Sequence, residues 1–339
     1  MRVLVTGSTG YIGSHTLLDL MESSFPVVSL DDFSRSSSSV LDILEKSTGK
    51  KIHHHKVDLT VLHQVRGVFE KHPDIDSIIH FAAFKSVSES VENALLYYNN
   101  NILSLTNTLQ CASEFGVKKI VFSSSCTVYG TPTEIPVKET TPLGKTESPY
   151  GATKQMGEQI IRDFVVSNPG FKAVLLRYFN PAGAHPSGLI GEQPIGRPQN
   201  LVPAITQSAI GKLQGMQVYG SDYPTRDGSC IRDFIHVCDL AQAHRLALEF
   251  MMEGRNSVPV ETFNLGTGTG VTVLEAIHAF ERASGKKLEY KIVARRPGDI
   301  VAIYANNDKA ADLLGWRPKY SLDEIMRTAW AWEQNLSEK

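Results

Sequence analysis

The stretch Val3-Leu4-Val5-Thr6-Gly7-Ser8-Thr9-Gly10-Tyr11-Ile12-Gly13-Ser14-His15 constrains this chain more than any other. A short apolar run, a glycine-spaced turn and the start of an amphipathic helix follow one another without a gap. That order predicts a strand feeding directly into a helix, with glycines that let the backbone come close to a ligand. The helix N-terminus offers unpaired N–H groups and a partial positive charge, which suit a pyrophosphate. The spacing is GxxGxxG rather than GxGxxG, and a glycine trio alone is a weak signal. Asp31 strengthens it by ending a second apolar run, Val27-Val28-Ser29-Leu30. It follows Gly13 at about the twenty-residue spacing expected of a carboxylate that accepts from an adenosine ribose, and a free 2′-OH there favours NAD over NADP. The serine-rich run from Ser34 to Ser39 is expected to form a loop along the adenosine.

Bulk properties exclude several classes. The net charge is −2 over 339 residues, and no basic stripe or acidic tail points to nucleic acid or a membrane surface. No apolar run approaches the roughly 20 residues that span a bilayer. The first apolar run is too short for a signal peptide, so a cytoplasmic location is expected. Cys111, Cys126, Cys230 and Cys238 show no CxxC spacing, which favours reduced thiols over a metal or disulfide framework. His53-His54-His55 does not read as a metal site, because adjacent residues on an extended chain point to opposite faces. It reads as a solvated lead-in to a strand ending near Asp58.

Apolar runs and helical stretches alternate through the first half. Strands are expected over 2–6, 27–30, 56–59, 77–81, 119–124 and 173–178, with helices over 11–23, 61–71, 95–115 and 150–168. This alternation predicts an α/β fold, a doubly wound parallel sheet of the Rossmann type covered on both faces. Ligands then sit beyond the carboxyl ends of the strands, where Gly7, Asp31, Asp58, Phe81, Ser125 and Asn180 fall. After Asn180 the sequence is rich in turn formers. Residues 1–180 are therefore expected to form the dinucleotide-binding domain and 181–339 mainly a smaller α/β substrate lobe. Segments near 234–265 are expected to return to the first domain, and 322–332 to form a closing helix.

Tyr150 and Lys154 form a YxxxK pair opening a helix after Ser148-Pro149. Residues four apart share a helix face, so both can address one ligand. A free phenol, with a pKa of about 10, is a poor base at neutral pH, and a nearby ammonium and a cationic nicotinamide would both stabilise its ionised form. Ser125 and Thr127 could relay or orient the proton.

With HFAAFKSVSES, YYNNN, SSSCTVYG, SPYGATK, LRYFNPAGAHPSG, GSDYPTRDGSCIRDFIHV and RRPGDI, the chain resembles the extended short-chain dehydrogenase/reductase superfamily. Within it the chain is similar along essentially its whole length to the UDP-glucose (UDP-galactose) 4-epimerase family. The resemblance implies a tightly bound NAD, framed by Gly7, Gly10 and Gly13 with Tyr11 and Ile12 at the helix start. Asp31, with Asp32, Phe33 and Ser34, would take the adenosine ribose, and Asp58 and Leu59 would flank the adenine. Phe81, Lys85, Asn100, Lys154 and Tyr178 would line the nicotinamide half. Tyr150 would be the base, assisted by Lys154, with Ser125 and Thr127 beside the sugar. Phe179, Asn180, Asn200, Leu201, Gln217, Tyr219, Arg232, Arg296, Asp299 and Ile303 would line the UDP-sugar site. For the two arginines the physical ground is independent: a planar guanidinium bonds phosphate oxygens in pairs.

The implied reaction interconverts UDP-galactose and UDP-glucose. Tyr150 removes the proton of the sugar 4-OH while the C4 hydride passes to the nicotinamide. The 4-keto sugar turns over with its nucleotide clamped, then takes the hydride back on its other face, which regenerates the cofactor. Helices 95–115 and 150–168 resemble those that pair across a homodimer in this family. Three positions depart from its pattern. Cys126 replaces an alanine, Gln199 replaces an asparagine, and Ile303 stands at the sugar-pocket gate. Isoleucine is intermediate in size there, so some activity on UDP-N-acetylglucosamine and UDP-N-acetylgalactosamine is expected. A nucleotide-sugar dehydratase or decarboxylase is the nearest rival, but Ser125-Cys126-Thr127 holds no acid before Val128-Tyr129-Gly130. A non-catalytic NAD sensor would have no reason to keep Ser125, Tyr150 and Lys154 together.

Overall fold

In the strand β1 (Arg2–Thr6), Val3 and Val5 join one buried apolar cluster and Leu4 joins another. A strand apolar on both sides needs cover on both faces, and successive residues point opposite ways. The computed structural model, which describes residues 2–296 and 298–338, shows this arrangement across a seven-stranded sheet. Its other strands are β2 (Val27–Asp31), β3 (His53–Lys56), β4 (Ile75–His80), β5 (Lys119–Ser125), β6 (Lys172–Tyr178) and β11 (Val260–Leu265). All pairings are parallel, in the order β11-β6-β5-β4-β1-β2-β3.

Helices α1 (Tyr11–Glu22), α2 (Ser39–Thr48) and α8 (Val237–Met252) cover one face. Leu17, Leu20 and Met21 pack there with Leu240, Leu248 and Met251. Helices α3 (Leu62–Lys71), α5 (Ala94–Glu114) and α6 (Pro149–Ser167) cover the other through Val65, Phe69, Leu105, Leu109 and Ile161. The short α4 (Val87–Glu92) precedes α5. A second lobe holds α7 (Leu201–Ala209), α9 (Val273–Ser284) and α10 (Leu322–Ser337) around Ile205, Ile277, Phe280 and Met326. Its short strands β8 (Met216–Tyr219) and β13 (Tyr290–Val293) pair in parallel, and β9 (Ile231–Arg232) pairs antiparallel with β12 (Val271–Thr272). No helix among the described residues is long and apolar enough to cross a membrane.

Strand order reverses between β1 and β4, since β2 and β3 build outward on one side and β4, β5 and β6 on the other. The crossover helices therefore diverge at this point and leave a crevice at the carboxyl ends of β1 and β4.

One expectation is corrected. The histidine run is itself the edge strand β3, paired with β2, rather than a lead-in to one over 56–59. An edge strand has one neighbour, so it tolerates polar side chains. The His54 ring is within 2.9 Å of Ser29 Oγ, and the His55 and His72 Nε2 atoms are 2.8 Å apart. Of the segments near 234–265, β11 joins the sheet beside β6. The strand β10 (Phe234–His236) instead pairs with β7 (Asn180–Ala182) in a separate two-stranded sheet, and the chain then turns into α8.

A buried polar network ties α6 to the sheet. Arg177 on β6 donates to both carboxylate oxygens of Glu158 on α6, at 2.8 and 2.6 Å. Ser124 on β5 donates to the same carboxylate at 2.6 Å. Arg177 also donates to the Tyr129 hydroxyl, which donates to Asn264 on β11. Both charges are buried, so removing one leaves the other uncompensated in a medium of low polarity. Glu158→Ala is expected to lower the unfolding free energy in urea by about 3–5 kcal/mol. A loss below about 1 kcal/mol, the scale of an exposed pair, would contradict this account.

Candidate active site

The glycine turn follows β1 at the crevice. Gly7 has φ +63°, and a Cβ there would lie 2.7 Å from the Ala82 nitrogen. At Gly13 a Cβ would lie 2.2 Å from the Gly7 carbonyl oxygen. Side chains are thus excluded where the turn meets the end of β4. Gly10 caps α1 without placing a side chain over its first turn, so the N–H groups there stay accessible to an anion. This cradle fits a dinucleotide pyrophosphate. Asp31 accepts from the Thr9 N–H at 3.0 Å, the Phe33 N–H at 2.9 Å and the Ser36 hydroxyl at 3.1 Å. It braces the turn, and a carboxylate with about four acceptor positions keeps capacity for a ribose hydroxyl.

α6 brings the YxxxK pair to the same crevice. Ser148 caps it by accepting from the Gly151 N–H at 3.2 Å, and Pro149 opens its first turn. Lys154 Nζ donates to the Ser123 carbonyl at 2.7 Å and lies 5.9 Å from the centre of the Tyr150 ring. Burial pulls the Lys154 ammonium down to about 8, so it stays mostly charged at neutral pH. Burial also pushes the Tyr150 phenol well above its ordinary value. Tyr178 adds to that rise, and the Ser125 hydroxyl acts against it.

The crevice continues into the second lobe as one cavity of about 1330 Å³. At its far end Arg296 donates to Asp299 at 2.8 Å and stacks 5.3 Å above the Tyr219 ring. Arg232 lies 3.6 Å from the same carboxylate and donates to the Ile300 carbonyl at 2.7 Å. Asn200, at the N-terminus of α7, donates to Glu192 at 2.7 Å, and Tyr219 donates to Gln217 at 2.9 Å. Between the two ends, Thr127 Oγ1 and Asn180 Oδ1 are buried without a partner. Orphaned polar atoms in a cavity wall suit a ligand rich in hydroxyl groups.

The expected residues meet on this cavity, with three exceptions. Phe33 takes a left-handed backbone and stacks on His54, 4.9 Å away. Ser125 is buried beside Tyr150 and accepts from the Thr127 N–H at 3.3 Å, and Ser123 and Cys126 line the wall. Phe179 is buried behind Ile303 with Val128 and Tyr129. Conversely, the sequence reading missed Glu192 and Asn101. Glu192 accepts from both Lys85 and Asn200 through one oxygen. Asn101 brackets Phe84 through its N–H and carbonyl and donates to Thr153 on α6. The asparagine run over 99–101 signalled the second, but nothing local signalled the first. All four cysteines are free thiols, and no cluster of metal-ligating side chains occurs among the described residues.

Residues 4–329 match the sequence model of a family described as GDP-mannose 4,6 dehydratase. The chain is 48% identical over 335 residues to UDP-glucose 4-epimerase of Bacillus subtilis (strain 168), covering 99% of this chain and 97% of that protein. Among solved structures, UDP-glucose 4-epimerase from Bifidobacterium longum in complex with NAD+ and UDP superposes with a TM-score of 0.94 at 44% identity. That match covers 99% of this chain and 98% of the other. The UDP-Glc/GlcNAc 4-epimerase of Campylobacter jejuni superposes with a TM-score of 0.84 at 37% identity, covering 98% and 99%. Identity at this level along the whole chain, with a backbone that superposes at a TM-score of 0.94, means that the chain belongs to the UDP-glucose 4-epimerase family.

Proposed function

We propose that this chain interconverts UDP-galactose and UDP-glucose with NAD as a bound, regenerated cofactor. The observation that carries this is the single cavity running from the glycine turn, past Tyr150 and Lys154, to Arg232 and Arg296. Gly7, Gly10 and Gly13 would hold the pyrophosphate, Asp31 the adenosine ribose, and Lys154 and Tyr178 the nicotinamide end. When bound, NAD supplies a reversible two-electron oxidant for C4 of the sugar and a positively charged ring. Tyr150 takes the proton of the sugar 4-OH and returns it. A cation beside the phenol would oppose the upward pull of burial on it. Thr127 and Asn180 would hold sugar hydroxyls through their unpartnered oxygens.

Arg232 and Arg296 would take the diphosphate, which competes with Asp299 for their guanidinium groups. Nucleotide contacts remote from C4 then hold the substrate while its sugar changes face. Ile303 lies in the cavity wall, packed with Cys126 and Phe179. An aliphatic side chain of this size leaves more room than a tyrosine and offers no hydrogen bond, which supports acceptance of an N-acetyl group.

A homodimer is proposed through α5 and α6. Leu95 is 76% exposed and Val166 is 83% exposed, and Leu96, Leu103 and Met156 add to an apolar surface on these two packed helices. The four free thiols suit a reducing compartment, and a cytoplasmic location is proposed on that ground.

Pure protein given UDP-galactose and no added NAD is expected to yield UDP-glucose. Tyr150→Phe should slow that turnover by about a thousand-fold, the range of general acid–base catalysis, while UDP still binds in calorimetry. Unimpaired turnover in the variant would remove Tyr150 from the chemistry. UDP-N-acetylglucosamine should also be turned over, and Ile303→Tyr should depress its turnover relative to UDP-glucose by about ten-fold. An unchanged ratio would mean that position 303 does not gate the pocket. In light scattering the protein should have twice the 37.3 kDa chain mass, with Leu103→Asp shifting it towards one chain. A monomeric wild type would rule the helix pairing out.

A further inference from the structure

Arg35 and Glu89 meet across the crevice. Arg35 lies in the serine-rich loop after β2, and Glu89 lies on α4, in the segment after β4. In the sheet β1 stands between β2 and β4. A contact between segments leaving β2 and β4 must therefore pass over the carboxyl end of β1, where the glycine turn and the start of α1 lie. The Arg35 guanidinium donates to Glu89 Oε1 at 2.6 Å and lies 4.7 Å from the centre of the Phe84 ring. All three residues line the cavity.

Both ends of this bridge are anchored. Ser36 next to Arg35 bonds Asp31 at 3.1 Å and the Thr9 hydroxyl at 2.7 Å. Glu89 Oε2 accepts from the Tyr97 hydroxyl at 2.8 Å, and that hydroxyl accepts from the Ser86 N–H at 3.0 Å. Tyr97 is fully buried on α5. The pair is thus a short strap pinned to β2 on one side and to α5 on the other.

We propose that Arg35 and Glu89 are retention residues for the dinucleotide, closing over it at the glycine turn so that it leaves only when their ion pair opens. This rests on the proposed NAD site. A cofactor regenerated at each turnover gains nothing from leaving, and a strap that slows its escape suits such a cycle. The ion pair is half-exposed, so its strength falls as salt screens it. The stacking of the guanidinium on Phe84 adds a part that is less sensitive to salt.

The test is the release of radiolabelled NAD from loaded full-length protein, chased with excess unlabelled NAD. Arg35→Ala and Glu89→Gln should each speed release by about ten-fold, equivalent to about 1.4 kcal/mol. The double reversal Arg35→Glu with Glu89→Arg should recover a large part of the wild-type rate. High salt should speed release from the wild type and leave Arg35→Ala unchanged. Wild-type protein that retains no label would sink the NAD site itself. Wild-type protein that retains it, with release unchanged in both single variants or with a double reversal no slower than they are, would overturn the strap alone.

Discussion

At Gly7 two stretches of backbone approach so closely that no side chain fits between them. A Cβ would lie 2.7 Å from the Ala82 nitrogen, and most of the site depends on that contact. It sets the end of β1 against the segment after β4, and so fixes the width of the crevice at the strand-order reversal. It aims the first turn of α1 across that crevice and lets Asp31 reach back to the Thr9 N–H. The segment that bears Phe84 and Lys85 and runs into α4 with Glu89 starts from the same place. Any residue other than glycine would push the two segments apart and take the left-handed conformation at a cost.

The buried network under α6 has a complementary role. Glu158 lies one helical turn beyond Lys154 and two beyond Tyr150, so it shares their face. Its carboxylate is fixed by Arg177 and Ser124. The face that carries Tyr150 and Lys154 is therefore attached to β5 and β6 by charge-assisted bonds rather than by apolar contact alone. Precision of this kind is what a proton-transfer site needs, since small displacements of reacting groups are costly in rate.

Much of this was legible in the sequence because apolar runs and the glycine turn are local signals. The strands from β1 to β6 followed from such runs, except β3. There three histidines hid an edge strand, because a strand with one neighbour need not be apolar. Arg177 and Glu158 gave no sign of burial, since a charged residue in a sequence reads as exposed until its partner is known. Glu192 and Arg35 were missed for the same reason, each being defined by a contact more than 50 residues away. The setting of Tyr150 was hidden in a different way. Spacing places Lys154 beside the phenol but does not reveal that burial pushes the phenol up or that the ammonium donates to the Ser123 carbonyl.

The packing of α1 against α8 has a consequence for the order in which a nascent chain can mature. The helix that opens the pyrophosphate cradle exposes Leu17, Leu18 and Met21 until Leu240, Leu248 and Met251 are available to cover them. More than 200 residues must emerge from the ribosome first, at a pace of about 5–20 residues per second. During those seconds the earliest strands have a bare flank and an unfinished edge beside β6. Early translation products of this chain should thus lean on chaperones, and the cradle, though encoded first, matures late.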